Sequence, residues 1–452
     1  MMKRLMMALF AIVLAGGLAF ATGQREAKSS APAAKPSGAS FSTTSSCAAG
    51  ATTKLIFWGW VPGFPRMVNL FNQTHPSICV DMENVGAGGA EYDKLVTAFK
   101  AGSGAPDAAE VEYGEMPTFE ITHSLLNLAK YGAAKYQSDH VPGLWAEVTR
   151  EGAIYGLPFD AGPVALMYNK KIFSQYSLAV PKTWGEFAAD AKTLHDNVSN
   201  IKITNFWPVD AQFLISMMAQ TGANPLIWNG GSTVTINLTC SRCMQFADYW
   251  QKLIDAHEVA MVPDVAAQEY GLLDTGKVAS VARAAWGPKY FAPAASKTVG
   301  DWRMALLPQW NAGERITPSW GGSAYVGTVQ TKHPRATTEF LGWLTSTLAS
   351  WKIAITPPTQ DFPSMPAAQN LASFRERTIP LTGPQKIEQA FIESAPTMET
   401  IKWVPFMPYV YSQVSDIFGK VTERQSTMSE ALSQLQAKLV SYAQGQGFTV
   451  EQ

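Results

Sequence analysis

Residues 155–170 read YGLPFDAGPVALMYNK and contain two short apolar runs separated by a polar crossing with a proline at each side. The second run, from Val164 to Tyr168, is apolar on both faces, which is typical of a strand covered by helices on each side. Asp160 stands between the runs, where a charge needs a partner. The pattern predicts a hinge between two units, with Asp160 available to a ligand.

The chain upstream of this crossing alternates between strands and helices. The predicted elements are a strand at 55–60, a helix at 65–73, a strand at 78–83, a helix at 92–100 and a strand at 108–112. Such alternation predicts a doubly wound α/β lobe. Ligands of these sheets bind outside the carboxyl ends of the strands, where the sequence places Trp60, Glu112 and Tyr113.

Downstream of the crossing the pattern is more helical. Thr183 with Glu186 three residues later predicts a capped helix start. Further predictions are helices at 213–220 and 242–256, a strand at 278–285, a return to the first lobe through a strand at 324–329 and a helix at 337–348, and a mainly helical tail from residue 383. A second lobe with more helices follows from this pattern.

Four segments in this order resemble one family: residues 55–60, 105–110, 155–170, and 320–323 with 336–344. Over residues 54–440 the chain is similar to the extracellular solute-binding proteins of ATP-driven sugar importers, the maltodextrin-binding-like family. The resemblance implies an α/β, two-lobed periplasmic-binding-protein fold with doubly wound sheets joined by a multi-strand hinge. It also implies a membrane permease and an ATPase as partners.

The length of 452 residues, 46% of them hydrophobic, exceeds what a single core normally supports, so we expect two lobes. The predicted division is a signal peptide at 1–21, a disordered spacer at 22–53, lobe I at 54–160 and 320–350, and lobe II at 161–319 and 351–452 with the C-terminal helices. The spacer prediction depends on residues 27–53, which are rich in Ala, Ser, Thr, Lys and Pro and lack apolar periodicity.

The first 21 residues have the pattern of an export signal. Lys3 and Arg4 precede an apolar run, which ends in the small-x-small sequence AFA at residues 19–21. Lipid anchoring would need a cysteine just after this run, whereas the first cysteine is Cys47. We therefore expect a soluble periplasmic or secreted protein with a cleaved signal peptide.

The four cysteines form an even set in an exported chain, which favours two disulfides among three possible connectivities. We expect Cys47 to pair with Cys79, and Cys240 with Cys243. The CSRC sequence at 240–243 also has the spacing of a redox motif at a helix start. Because it lies mid-chain without a flanking aromatic and proline, a local staple is favoured over a thioredoxin-like role.

Composition and motifs exclude several function classes. The formal net charge of −1 and the lack of a basic block beyond the first residues argue against nucleic acid as a partner. There is no G-x-S-x-G elbow, Walker loop or H-E-x-x-H motif, and the six histidines lack metal spacing. We expect a monomer with no cofactor, no metal and no catalytic residues.

Fourteen tryptophans are the compositional signal that points to a ligand. A pyranose has an apolar C–H face and hydroxyl edges, so its site combines flat aromatic rings with carboxylate or amide groups. The tryptophans within two residues of a Gly or Pro at predicted element ends are candidates for stacking: Trp60, Trp207, Trp286, Trp320 and Trp403. Those expected to pack on helices or lobe surfaces are Trp184, Trp250, Trp302, Trp343 and Trp351. Each candidate could instead be a core residue.

Polar candidates complete the predicted sugar site. Asp160, Glu112 and Asp210 are expected to accept hydroxyl hydrogen bonds, since one carboxylate can take two; each could instead be a solvated charge or a helix cap. Gln212 lies two residues beyond Asp210. The loop Gly321-Gly322-Ser323 would let the backbone approach a ligand, or be an ordinary turn.

The sequence therefore predicts an exported protein that captures a mono- or oligosaccharide between two lobes by hinge closure and delivers it to an ABC transporter. One alternative is a secreted glycoside-acting enzyme that uses Asp160 and Glu112 as paired carboxylates. Another is a binder of a different small polar solute, such as a phosphorylated polyol. A surface adhesin is disfavoured because no repeats are found.

Overall fold

The computed structural model describes residues 43–357 and 359–452. The strands, in chain order, are β1 (Thr53–Trp58), β2 (Ile78–Glu83), β3 (Ala108–Glu112), β4 (Thr149–Arg150), β5 (Ala153–Ile154), β6 (Leu157–Pro158), β7 (Val164–Asn169), β8 (Lys202–Asn205), β9 (Leu226–Trp228), β10 (Thr233–Ile236), β11 (Val259–Ala260), β12 (Val278–Ala284), β13 (Trp302–Leu306), β14 (Ser323–Gly327) and β15 (Thr449–Glu451). The α-helices are α1 (Phe64–Thr74), α2 (Gly89–Ala101), α3 (Met116–Ile121), α4 (Pro142–Glu147), α5 (Lys170–Gln175), α6 (Trp184–Asn197), α7 (Ala211–Ala219), α8 (Ser241–Asp255), α9 (Ala267–Asp274), α10 (Pro288–Phe291), α11 (Pro334–Ser346), α12 (Leu348–Ala354), α13 (Pro366–Gln369), α14 (Ala372–Arg375), α15 (Gln389–Ser394), α16 (Met407–Thr422) and α17 (Met428–Gly445).

The first sheet has the strand order β2-β1-β3-β14-β6. The pairs β1 with β2 and β1 with β3 are parallel, whereas β14 is antiparallel to both of its neighbours. Helices α1, α11 and α12 pack together on this sheet, and their aromatic side chains meet those of the strands. Phe57 of β1, for example, contacts Phe64, Tyr325 and Phe340, with ring centroids 5.4 to 5.7 Å apart.

The second sheet has the strand order β11-β8-β12-β7-β13. Five of the six residues of β7 are buried, as expected for a strand covered on both faces. A smaller sheet, β15-β10-β9, lies beside α17, which also packs against α16 and α8. The C-terminal helices α16 and α17 therefore pack against α7 and α8.

Most predicted elements are confirmed. β2 and β3 have the predicted bounds, and α6 begins with a capping box in which Thr183 accepts from the backbone N–H of Glu186. The prediction did not include β13, which pairs along β7. Its sequence, WRMAL, carries a charge in the second position and is too short to show a clear period.

Three stretches of chain cross side by side between the two sheets, the first at 159–163, the second at 318–323 and the third at 361–364. The first forms bridges with the other two, between Pro163 and Ser319 and between Asp160 and Pro363. The Trp320 N–H donates to the Gly162 carbonyl over 2.8 Å, and a Cβ on Gly162 would lie 1.9 Å from the Trp320 oxygen. Only glycine allows the crossings to approach this closely. The predicted hinge segment is thus one of three neighbouring segments that cross between the sheets.

Two of the predicted domain bounds need correction. The bound at residue 350 falls inside α12, where Trp351 stacks on Phe159 with centroids 4.5 Å apart, so the return to the first sheet extends past residue 350. The end of the predicted spacer is packed, because Thr43 is buried and its hydroxyl donates to the Val80 carbonyl over 2.8 Å. The predicted signal peptide and residues 22–42 lie outside the described residues.

The predicted cysteine pairing is present. Cys47 and Cys79 form a disulfide with an S–S distance of 2.04 Å and tie the segment before β1 to β2. Cys240 pairs with Cys243, and their Cα atoms lie 5.1 Å apart. Cys240 is the N-cap of α8, which agrees with a local staple at a helix start.

Candidate functional site

A cavity of about 760 Å³ lies between the two sheets, at the place where the chain crosses. Its walls come from the carboxyl ends of β1 and β3, from all three crossings, and from the starts of α7, α10 and α16. The lining residues are Trp60, Val61, Pro62, Ala87, Glu110, Glu112, Asp160, Val209, Asp210, Ala211, Gln212, Val265, Trp286, Lys289, Tyr290, Trp320, Gly321, Gly322, Ser323, Asp361 and Tyr411.

Ten of the thirteen candidate residues named from the sequence line this cavity. They are Trp60, Glu112, Asp160, Asp210, Gln212, Trp286, Trp320, Gly321, Gly322 and Ser323. The cavity wall does not include Tyr113, Trp207 or Trp403. The residues that the sequence suggested from separate loops are therefore largely brought together in one place.

The three candidates outside the wall have other contacts. Tyr113 is buried behind Gly322, and its hydroxyl donates to the Asp160 carbonyl over 3.0 Å. Trp403 is buried and its indole N–H donates to Oε2 of Glu147 over 3.2 Å, so it is a packing residue. Trp207 is half-buried in the turn before α7. A tryptophan beside a proline was not a sufficient signal for a cavity position.

Of the five tryptophans predicted to pack, Trp184, Trp250, Trp302 and Trp351 are buried, which confirms that prediction for them. Trp343 is half-buried on α11 and contacts Phe71 with ring centroids 5.4 Å apart.

Asp160 is held in place by the backbone of a neighbouring crossing. Its Oδ1 accepts from the Ser323 N–H over 2.6 Å, which fixes the carboxylate at the cavity wall. Burial raises the pKa of Asp160 to about 7, and the nearby carboxylate of Asp361 adds to this increase. A carboxyl group with such a pKa is partly protonated near neutral pH. A hydrogen-bond donor from a ligand would favour its ionised form.

Two glutamates at the end of β3 form the wall of the first unit. Oε2 of Glu110 accepts from the backbone N–H of Trp60 over 3.0 Å, and Oε2 of Glu112 accepts from the Tyr92 hydroxyl over 3.2 Å. Burial raises the pKa of both carboxyl groups. Glu110, which the sequence analysis missed, is buried and precedes Glu112 by two residues, so the period of a strand places both on the same face.

The lysine of the cavity was also missed. Lys289 Nζ donates to Oδ1 of Asp361 over 2.7 Å and to the Thr359 carbonyl over 2.9 Å. Lys289 lies in α10 on the second unit, and Asp361 lies in the third crossing. Because Lys289 lies three residues after Trp286, the sequence could have suggested it as a cavity residue. Nothing in the sequence around Asp361 indicates a position in the cavity.

The aromatic residues of the cavity differ in how much ring they expose. Trp320 is 3% exposed and packs between Phe213 and Trp286, each with a centroid distance of 4.9 Å. Trp286 is half-buried, and its indole N–H donates to the Trp320 carbonyl over 2.8 Å. Trp60 is also half-buried, while Tyr290 is 52% exposed. Trp60, Trp286 and Tyr290 therefore retain accessible ring surface, and Trp320 mainly supports Trp286.

The start of α7 supplies the polar groups of the second unit. Asp210 is the N-cap of this helix, and its Oδ1 accepts from the Phe213 N–H over 2.8 Å. One of its two carboxyl oxygens is therefore used as a helix cap. Gln212 donates through Nε2 to the Tyr411 hydroxyl over 3.1 Å. Both side chains are half-buried and face the carboxyl ends of β1 and β3 across the cavity.

The described parts of the chain contain no group of three or more His, Cys, Asp or Glu residues arranged to hold a metal ion. Among residues 43–357 and 359–452, no helix is both long enough and apolar enough to span a membrane.

Two α/β units joined by three crossings, with a cavity between them lined by acidic and aromatic residues, define a two-lobed ligand-binding protein. The chain belongs to the bacterial extracellular solute-binding protein family, whose sequence pattern matches residues 59–349. The predicted fold class is confirmed by this membership and by the solved structures to which the chain is similar.

One of these structures is an ABC transporter associated binding protein from B. animalis subsp. lactis Bl-04, in complex with beta-1,6-galactobiose. It is 29% identical, the match covers 89% of this chain and 100% of that chain, and the TM-score is 0.75. Another is the galacto-N-biose-/lacto-N-biose I-binding protein of Bifidobacterium longum, which is 24% identical, covers 89% of this chain and 99% of its own, and has a TM-score of 0.78. The second likeness shows the fold alone.

A relative of known specificity is the arabinooligosaccharide-binding protein of Halalkalibacterium halodurans. It is 24% identical over 415 residues, which is 85% of this chain and 88% of that protein.

Proposed function

We propose that this protein captures a mono- or oligosaccharide in the cavity between its lobes and presents it to the membrane permease of an ABC importer. The observation that carries the proposal is the convergence of half-buried ring faces, from Trp60 and Trp286, with carboxyl groups of both units on one cavity. Flat rings match the C–H faces of a pyranose, and carboxylates accept its hydroxyl hydrogens. The sugars named for the relatives support the same class of ligand.

The size of the cavity agrees with a small saccharide. A volume of about 760 Å³ lies within the range of roughly 300 to 1,000 Å³ that is usual for small-molecule sites. The ten candidate residues that line it are proposed ligand contacts, and Glu110, Lys289, Tyr290 and Asp361 join them.

Binding would close the two lobes around the crossings. Lobe I would comprise the first sheet with α1, α11 and α12, and lobe II the second sheet with the C-terminal helices. A ligand that contacts both lobes favours the closed state over the open state, so it shifts a pre-existing equilibrium. A shift from about 1:99 to 99:1 needs roughly 5.5 kcal/mol of differential binding. Stacking and charge-assisted hydrogen bonds from both lobes can supply that amount.

The proposed site of action is outside the cytoplasmic membrane, after removal of residues 1–21 as a signal peptide. The absence of a cysteine directly after the apolar run supports a form without a lipid anchor. No covalent chemistry is proposed for the cavity, because the family and the relatives are binding proteins.

A thermal-shift screen of the purified protein against neutral mono- and oligosaccharides, followed by titration calorimetry, tests the proposal. We expect at least one sugar to raise the melting temperature and to bind with one-to-one stoichiometry. A hydrolysis assay on the bound sugar separates binding from the glycoside-acting alternative. If no saccharide binds, or if the bound sugar is cleaved, the proposal is wrong.

A further inference from the structure

The ionisable side chains of the cavity wall are mostly acidic. Five carboxyl groups line it, from Glu110, Glu112, Asp160, Asp210 and Asp361, whereas Lys289 is the one cationic side chain in the described wall. The acidic residues come from both units and from two of the three crossings.

The lysine does not offset this excess for a ligand, because its charge is already used. Lys289 Nζ lies 2.7 Å from Oδ1 of Asp361 and 2.9 Å from the Thr359 carbonyl. Two arginines behind the wall are also paired: Arg283, whose Cζ lies 5.7 Å from the Trp320 ring centroid, forms an ion pair of 2.7 Å with Glu269, and Arg377 pairs with Glu388. The Nε of Arg283 has no acceptor among the described residues, but neither arginine is part of the cavity wall.

One carboxylate oxygen at the wall lacks a partner. Asp361 is 2% exposed, and its Oδ2 accepts no hydrogen bond from the described residues, although its Oδ1 is bound by Lys289. A buried acceptor without a donor is costly, and a donor from a bound ligand would remove that cost. A charged donor would be the most favourable partner, since hydrogen bonds between ions are the strongest kind.

We propose that the cavity accepts a sugar bearing a protonated amino group in preference to the matched neutral sugar, and that it rejects sugars bearing a carboxylate or phosphate. This inference depends on the proposed function and deepens it by naming the charge of the substrate. The ammonium group would lie among Asp160, Asp361 and Glu112, which line the cavity together.

The pKa shifts in the cavity support the same order of affinity, with amino sugars first and acidic sugars last. Burial raises the pKa of Asp160 to about 7 and raises that of Asp361, because the charged forms are poorly solvated there. The same burial favours the protonated carboxyl groups before a ligand binds. A bound ammonium group would shift them to their ionised forms and pair with them, whereas a bound anion would find no unpaired cation in the described wall.

Titration calorimetry with two matched sets of sugars tests the inference, at a pH below the pKa of the amines. The sets are glucose, glucosamine and glucuronate, and galactose, galactosamine and galacturonate, measured beside the neutral saccharides of the screen. We expect an amino sugar to bind at least about tenfold more tightly than its neutral partner, and no uronate to bind.

The outcomes separate the two proposals. If neutral saccharides bind but no amino sugar binds more tightly than its neutral partner, or if a uronate binds, the inference is overturned and the proposed function stands. If nothing binds in either the matched sets or the screen, the proposed function fails and the inference fails with it.

Two substitutions should move the preference in opposite directions. Asp361→Asn keeps an oxygen acceptor for Lys289 but removes the negative charge that pairs with its ammonium group. The preference for the amino sugar should therefore disappear, and the uronate should gain affinity. Lys289→Gln removes the ion pair and leaves the Asp361 carboxylate to the ligand, so the preference for the amino sugar should increase. Asp196→Asn changes the net charge on the exposed face of α6 and is the control, with no change expected. An unchanged preference in both cavity variants, with thermal melts that confirm folding, would also overturn the inference.

Discussion

Asp160 and Ser323 are joined across two of the crossings by a hydrogen bond of 2.6 Å from the Ser323 N–H to Oδ1 of Asp160. The carboxylate lies at the cavity wall and is bound to the backbone that connects the lobes. A ligand that contacts Asp160 therefore acts directly on the segment that must bend when the lobes close. This hydrogen bond is the structural basis of the role that we propose for Asp160.

Replacement of Asp160 separates its two roles. Asp160→Ala should weaken sugar binding by about tenfold or more, because both the ligand's acceptor and the link to Ser323 are lost. Asp160→Asn keeps an oxygen for the Ser323 N–H but loses the charge, so its affinity should be intermediate. Calorimetry gives the affinities, and circular dichroism checks the fold. Equal affinity of Asp160→Ala and the unmodified protein would remove this residue from the site.

Trp286 is expected to supply a ring face for the sugar. Trp286→Ala should reduce the affinity by about tenfold, since the stacking surface and the hydrogen bond to the Trp320 carbonyl are both lost. Trp286→Phe keeps a smaller face and should lose less. Trp343→Phe, on α11 outside the cavity, is the matched control and should bind sugar normally. Normal binding by Trp286→Ala would contradict the stacking role.

Gly322 has a backbone conformation and surroundings that exclude a side chain. Its φ is +104°, and a Cβ would lie 3.0 Å from the Tyr113 ring and 3.1 Å from the Asp160 carbonyl. Gly322→Ala should lower the free energy of unfolding by about 1–3 kcal/mol. Gly271→Ala, in α9 with no atom within 4 Å of the added Cβ, should instead increase it by about 0.5–1 kcal/mol. Denaturant titration compares the two, and equal effects would refute this explanation.

Glu91 should make stability depend on pH. It is fully buried in the first turn of α2 with neither carboxyl oxygen hydrogen-bonded to a described residue, and burial raises its pKa from 4.5 to about 9. Between these values the folded chain keeps a proton that the unfolded chain releases, so the free energy of unfolding falls as the pH rises, by up to about 1.4 kcal/mol per pH unit. Glu91→Gln should remove that part of the slope.

Denaturant titrations from about pH 5 to pH 8 measure this slope. The exposed Glu423→Gln is the control and should leave the slope of the unmodified protein unchanged. An identical slope in Glu91→Gln would show that this carboxyl group does not have a raised pKa in the folded protein.

The fold was largely predictable because the apolar periodicity of its helices and strands is clear in the sequence. The apolar run in β7 and the cap of α6 at Thr183 are local signals, and the order of such elements fixed the two α/β units. β13 was missed because five residues with a charge show no period. The position of α12 was misassigned because its place is decided by the stacking of Trp351 on Phe159, a contact distant in sequence.

The lining of the cavity was predicted in its residue types more than in its geometry. Trp60, Glu112 and the glycine loop followed from their places at strand ends, which are local features. The pairing of Lys289 with Asp361 joins residues 72 positions apart and gives no sequence signal. Trp403 has the same local context as the cavity tryptophans, and only the tertiary structure directs it to Glu147.

Small-angle X-ray scattering, measured while the protein is titrated with a sugar found by the screen, tests the central claim most directly. If the cavity between the lobes closes over its ligand, the radius of gyration should decrease and saturate with the same dissociation constant as calorimetry gives. Asp160→Ala should need more sugar to show the same change. A sugar that binds fully while the radius of gyration stays constant would contradict the account.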